Sequence, residues 1–208
     1  MVTVSANSDR TLVVLKPDAI RDGLRDSILN ALESYCSDNS LRISSTFDVV
    51  LTERILWRHF VGKGYEFISN VGKKCSKAME SAGMHCEEEP YVLGYRVIMG
   101  QIRGMEGQGA LVAVVEGHGA VAKLARFKGA TDSKEADACS IRGMFRSTTT
   151  ILDVALGGVM ENRVHVPDNE EEAVYDFETF MAPEQLSAPV AHLMRRRASG
   201  EVTSQSPV

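Results

Sequence analysis

Four short apolar or β-branched runs, set far apart and separated by stretches of helical periodicity, constrain this chain more than any other feature. The first, TLVVL at Thr11 to Leu15, runs into Lys16-Pro17-Asp18. Proline cannot donate to a ladder, so that strand stops at a turn with Lys16 at its exit. The second, LRISSTFDVVL at Leu41 to Leu51, is β-branched and partly alternating, the pattern of a half-buried strand. The third, ALVAVV at Ala110 to Val115, is a continuous apolar run of strand length. Val164-His165-Val166 supplies a short fourth strand.

The intervening segments read as helices. From Arg21 to Cys36 the positions Leu24, Ile28, Leu32 and Tyr35 recur every three or four residues, which describes an amphipathic helix. Thr52 has the character of an N-cap for a short helix through Phe60. A further helix is predicted from Tyr65 to Met79, then an acidic break at Glu87-Glu88-Glu89-Pro90, and a strand at Tyr91 to Met99. Gly119 to Phe127 reads as helical, and Thr131 to Thr150 as polar and irregular. After the fourth strand, Asp168 or Asn169 can cap a last helix whose first turn carries Glu170, Glu171 and Glu172, favourable against the helix dipole. Its predicted buried face is Ala173, Val174, Phe177 and Phe180.

This order predicts an α/β (α+β) fold: a ferredoxin-like split β-α-β, four-stranded antiparallel sheet, with helices on one face, in preference to a purely parallel sheet. A length of 208 residues suits one domain of ordinary size. The boundaries expected are a flexible N-terminus at 1–10, a domain at 11–186 with insertions near 62–104 and 146–158, and a flexible tail at 187–208.

Composition excludes several function classes. No stretch approaches the roughly 18 to 20 apolar residues of a membrane helix, and the polar start lacks the form of a secretory signal, so a cytoplasmic protein is expected. Cys36, Cys75, Cys86 and Cys139 are widely spaced and read as free thiols, with neither a disulfide nor a protein metal cage implied. The net charge of −5 opposes nucleic-acid binding, although a local basic cluster can still hold a small polyphosphate.

The polar groups at strand exits and in irregular stretches are where a rigid scaffold presents chemistry to solvent. Lys16, Arg126, Thr131, Arg142, Asn162 and His165 stand in such places. Each alone reads more readily as an ordinary surface or packing residue. As an ordered set they carry a resemblance. TLVVLKPDAIRDGL is similar to the opening segment of nucleoside diphosphate kinases. TERILWRHF resembles the helix ending in that family's base-stacking aromatic, ALVAVVEG the strand before its nucleotide-binding helix, GATDSKEADACSIRG the following loop, and NRVH its phosphohistidine segment.

What the resemblance implies is a phosphotransferase that moves the γ-phosphate of a nucleoside triphosphate to a nucleoside diphosphate through a phosphohistidine at His165. The rival reading is a nucleotide-binding or scaffold module that has kept the fold and lost turnover. Lys16, Arg126 and Arg142 would meet phosphate oxygens, with Lys123 as a substitute for Arg126. Thr131 would donate a hydroxyl, Asn162 would hold the ribose 3′ end, and Phe60 would lie against the base. Asp176, where the family has glutamate, would hold the histidine through a shift or a water. Mg²⁺ would bridge the substrate's phosphates, with Asp168 at most an indirect ligand. The family also implies a homo-oligomer, and no membrane or nucleic-acid partner. Val166 stands where the family has glycine, and it is expected to crowd the phosphate. Arg196-Arg197-Ala198-Ser199 resembles a site for basophilic kinases.

Overall fold

Strand β1 (Arg10–Leu15) lies between β3 (Gly109–Glu116) and β4 (Val164–His165), and β2 (Arg42–Val50) adds to the far edge of β3. The order is β2-β3-β1-β4 with every neighbouring pair antiparallel, which is the ferredoxin-like split β-α-β sheet that the pattern of runs implies. In register, Val14 faces Val112 on one side and His165 on the other. The computed structural model describes residues 10–181; of the expected N-terminal segment 1–10 only Arg10 is among them, at the start of β1, and the tail at 187–208 with its Arg-Arg-Ala-Ser stretch lies outside them.

The helices are α1 (Pro17–Arg21), α2 (Arg25–Asp38), α3 (Glu53–Phe60), α4 (Gly64–Ser81), α5 (Pro90–Met105), α6 (Ala120–Lys128), α7 (Ile141–Met144), α8 (Ile151–Ala155) and α9 (Glu170–Phe180), with a 3₁₀ turn at Val61–Lys63. Several starts have evident causes. Lys16 precedes α1 with Pro17 at its first position, where the missing N–H is not needed. Thr52 caps α3 by accepting from Ile55 N at 3.3 Å, and Asn169, rather than Asp168, caps α9 by accepting from Glu172 N at 2.8 Å.

Helices cover both faces of the sheet, not one. Successive strand residues point to opposite faces, and here both directions meet apolar side chains. Val13, Leu15, Leu111, Ala113 and Val115 pack with Ile28, Leu32, Leu124 and Val164. Leu12, Val14, Ala110 and Val112 pack with Ile55, Leu56, Ile68, Ile98, Ile102 and Phe180. Burying one such side chain contributes about 1.5–3 kcal/mol, which explains why β1 and β3 read as unbroken apolar runs rather than alternating ones.

The strand expected at Tyr91 to Met99 is instead part of α5. Leu93, Gly94, Val97, Ile98, Gln101, Ile102 and Met105 are its buried residues, recurring every three or four positions, and Pro90 sits at the helix start. Three β-branched residues in a short window mimicked a strand, and packing against α4 overrides that preference. The contact needs two glycines: a Cβ on Gly72 would come within 1.7 Å of Pro90 O, and one on Gly94 within 1.9 Å of Ile68 O. Cys75, Leu93 and Val97 then pack with Val154 and Ala155 of α8, so the two segments read as insertions rest on each other. On α9 the buried residues are Ala173, Asp176, Thr179 and Phe180; Val174 is 60% exposed, contrary to its expected place in the core.

Candidate active site

The end of β1, the ends of α3 and α6, and the loops around α7 and β4 converge on a cavity of about 270 Å³. His165 lines it from β4, beside Lys16, Phe60, Lys128, Thr131, Arg142, Asn162 and Asp168. Its far part, between α4, α5 and α8, is apolar, lined by residues such as Phe67, Val71, Val97 and Val154.

His165 Nε2 lies 2.6 Å from Asp176 Oδ2. Asp176 is fully buried, and its carboxylate can only accept, so Nε2 carries the ring proton and Nδ1 keeps its lone pair. Among the described residues none is hydrogen-bonded to Nδ1. Asp176 therefore reaches the histidine directly, without the expected shift or water. Burial pulls the His165 imidazole down to about 4; Asp176 opposes this, and the nearby His59 and Lys63 add to it. The ring is neutral at pH 7. Burial alone would raise Asp176, but the two histidines outweigh it and hold the carboxyl well below its usual range.

His59, the residue before Phe60, is the second histidine of this centre and was not singled out from sequence. It is buried, its Nδ1 lies 3.3 Å from Asp176 Oδ1, and its ring meets that of His165 edge-on at 4.4 Å between centroids. One carboxylate thus holds two imidazoles. The helical position of His59 gave a hint, since it falls on the face of α3 that buries Ile55 and Leu56.

The cations are placed by backbone carbonyls. Lys16 Nζ donates to Met160 O at 2.5 Å and to Asn162 Oδ1 at 2.9 Å, and burial pulls its pKa down to about 8 against Asp18. Arg142 is buried and donates to Asn162 O, Gly129 O and Val164 O at 3.3, 3.1 and 2.8 Å. Burial lowers it to about 10, and two of its five N–H groups are left for an incoming acceptor. Asn162, itself buried, links Lys16 to Thr131 O, to which it donates at 3.0 Å.

Arg126 is not brought to the cavity. It is exposed on α6, about 200° around the helix from the buried Leu124. Lys123 is turned toward Asn39 O, which it meets at 2.9 Å. The cation that α6 presents is Lys128, which donates to Val166 O at 2.8 Å and pairs with Asp168. It lies on the buried stripe with Leu124, which is the periodicity that could have identified it. Lys63 pairs with Glu172 in the same wall, a contact between segments 109 residues apart that local pattern does not reveal.

Val166 does not crowd the histidine. It is fully buried in the cluster on the opposite face of the sheet, because its side chain alternates with that of His165. The loop before β4 is fixed by Arg163, at φ +69, whose guanidinium meets Asp22 Oδ2 at 2.6 Å and Phe145 O at 2.9 Å, while its N–H donates to Asp18 Oδ2 at 2.9 Å. A non-glycine residue in that region is held only where its surroundings over-determine it.

For a hard cation the donor set is sparse. Both Glu172 oxygens are committed, to Lys63 and to Asp168 N, whereas Asp168 is exposed and uses one oxygen on Lys128. That fits a cation brought in with a polyphosphate and met by Asp168 through water, not a resident one.

Comparisons with known proteins agree with this geometry. A family model described as nucleoside diphosphate kinase matches residues 102–186. The chain is 27% identical over 179 residues to a nucleoside diphosphate kinase of Thermococcus kodakarensis, covering 86% of this chain and 79% of that one. It is 28% identical over 179 residues to one from Wolbachia pipientis, covering 86% and 97%. The crystal structure of an NDP kinase from Pyrobaculum aerophilum is similar with a TM-score of 0.74 at 26% identity, covering 86% of this chain and 98% of that one. A vanadate and ADP complex of the Borrelia burgdorferi enzyme, at 20% identity and a TM-score of 0.61, shares the fold over 86% of this chain and 89% of that one.

Proposed function

We propose that this chain, which belongs to the nucleoside diphosphate kinase family, moves the γ-phosphoryl group of a nucleoside triphosphate to a nucleoside diphosphate by way of a phosphohistidine at His165. The observation that carries the reading is the 2.6 Å contact between His165 Nε2 and Asp176, which leaves a neutral ring with a lone pair at Nδ1 in a cavity lined by lysine and arginine.

Phosphoryl transfer asks the protein for position and charge more than for covalent help. Nδ1 attacks the γ-phosphorus while the bond to the bridging oxygen breaks and the nucleoside diphosphate leaves. The ring, now substituted at Nδ1 and still protonated at Nε2, becomes cationic, and Asp176 stabilises that charge from 2.6 Å. Lys16 supplies a point charge to the transferring oxygens, and Arg142 offers its two remaining N–H groups. Lys128 supports this side of the cavity through Asp168. Phe60 at the cavity wall offers a face for a base. Mg²⁺, when bound with substrate, would screen the phosphate charge, with Asp168 the carboxylate placed to meet its water shell. A second nucleoside diphosphate then takes the group by the reverse sequence.

The test is initial-rate kinetics with both nucleotides varied. Parallel double-reciprocal lines are expected for a covalent intermediate. Intersecting lines would remove the intermediate, and nucleotide binding without any turnover would favour the scaffold reading.

A further inference from the structure

We infer that His59, His165 and Asp176 form a binding site for a borderline divalent cation such as Zn²⁺, and that the cation switches off the nucleophile by changing its tautomer. One imidazole nitrogen from each histidine and one carboxylate oxygen lie within 4.8 Å of one another. Tetrahedral zinc with bonds of about 2.0–2.2 Å separates its donors by about 3.3 Å, the distance already present between His59 Nδ1 and Asp176 Oδ1. Imidazole with one carboxylate suits zinc or cobalt rather than magnesium, which prefers oxygen.

Charge points the same way. Of the two buried carboxylates among the described residues, Asp18 meets the guanidinium of Arg163, whereas Asp176 meets only two imidazoles. A buried carboxylate with no guanidinium or ammonium partner lacks a permanent counter-charge, and a divalent cation supplies one. Phe60 and Phe180 pack against the His59 ring, giving the site an apolar wall on that side.

The consequence for His165 follows from proton bookkeeping. In the metal-free centre Nε2–H donates to Asp176 and Nδ1 holds the lone pair. A cation takes the Nε2 lone pair instead, so the neutral ring carries its proton at Nδ1 and has no lone pair there to attack phosphorus. The ring releases no net proton. His59 and His165 line the nucleotide cavity and Asp176 lies outside its lining, so a cation held among the three leaves the rest of the cavity open.

Metal binding itself does not depend on the transferase reading; the inhibition does. The experiment titrates the chelator-stripped full chain with Co²⁺ in excess Mg²⁺, follows the visible d–d bands, and then adds Zn²⁺. One equivalent of tetrahedral Co²⁺ is expected, displaced by Zn²⁺, with affinity at least about tenfold weaker in His59→Gln and in Asp176→Asn. Absence of the band, or equal affinity in both variants, overturns the site. Should the variants fail to fold, imidazole ¹⁵N shifts of the wild-type chain decide: both rings move on Zn²⁺ addition, or the site is wrong. Zn²⁺ is also expected to block labelling of the protein by a γ-labelled nucleoside triphosphate while a fluorescent ADP analogue still binds. Labelling that persists with the metal bound overturns the switch. Metal binding in a chain that never labels, even without metal, would instead sink the transferase reading and leave the site standing.

Discussion

Asp176 places Oδ2 at 2.6 Å from His165 Nε2 and Oδ1 at 3.3 Å from His59 Nδ1, so a single buried carboxylate fixes the orientation of both rings. Asp176→Asn keeps the volume and removes the charge. It also allows the amide to donate, which permits the wrong tautomer. Phosphorylation of His165 is expected to slow by about 10²-fold or more, on the scale of losing one preorganised stabiliser. Rapid-quench labelling measures it, and a rate within twofold of wild type would remove Asp176 from the mechanism.

The acid limb of the reaction follows from the lowered His165 pKa. The folded ring stays neutral down to about pH 4, against an ordinary value of 6.5. Labelling is therefore expected to persist below pH 6.5 and to fall only as pH approaches 4. Stability has the opposite requirement. Between 6.5 and about 4 the unfolded chain binds the proton that the folded ring refuses, so this group makes stability fall as pH falls across that window. The alkaline limb belongs to Lys16, which loses its charge above about pH 8. A kcat/KM profile and thermal melts at matched pH test both, and an acid limb at 6.5 would contradict the burial argument.

Arg142 and Arg126 are expected to behave differently. Arg142→Ala removes a buried guanidinium that ties Gly129, Asn162 and Val164 together, so it should lower thermal stability as well as transfer, the latter by about 2–4 kcal/mol. Arg126→Ala, on the exposed side of α6, should leave the transfer rate within about twofold. Steady-state rates of the pair check this, and a large loss in Arg126→Ala would mean that α6 rotates when nucleotide binds.

Much of this was legible in the chain. TLVVL, ALVAVV and the turn after Lys16 defined two strands because apolar runs and a proline leave few alternatives, and Thr52 marked its helix by capping chemistry. Residues 91–99 misled because three β-branched residues outweighed, on paper, a helical spacing that becomes decisive only when α4 packs against it. In the site, Lys16, Arg142, Asn162 and His165 could be named only as members of an ordered series of motifs, since position alone singled out Arg126 as well. Helical periodicity put His59 and Lys128 on buried faces without revealing their partners, 117 and 40 residues away, and Lys63 gave no local signal, its partner lying 109 residues away.

The crossing of α4 and α5 offers a test of the helical hairpin. Gly94→Ala would place a Cβ 1.9 Å from Ile68 O, so the helices must separate. A loss of about 1–3 kcal/mol is expected, together with weaker nucleotide binding, because Phe67, Val71, Val97 and Ile98 line the cavity. Denaturant melts and nucleotide titration of the variant measure the two effects, and unchanged stability would contradict the crossing.

The most direct test incubates the protein with γ-labelled ATP and Mg²⁺, locates the label, and then adds GDP. The expected result is an acid-labile label on His165, absent in His165→Ala, that passes to GDP to give labelled GTP. Label on another residue, or a His165→Ala protein that still makes labelled GTP, would contradict the assignment of His165 as the phosphoryl carrier.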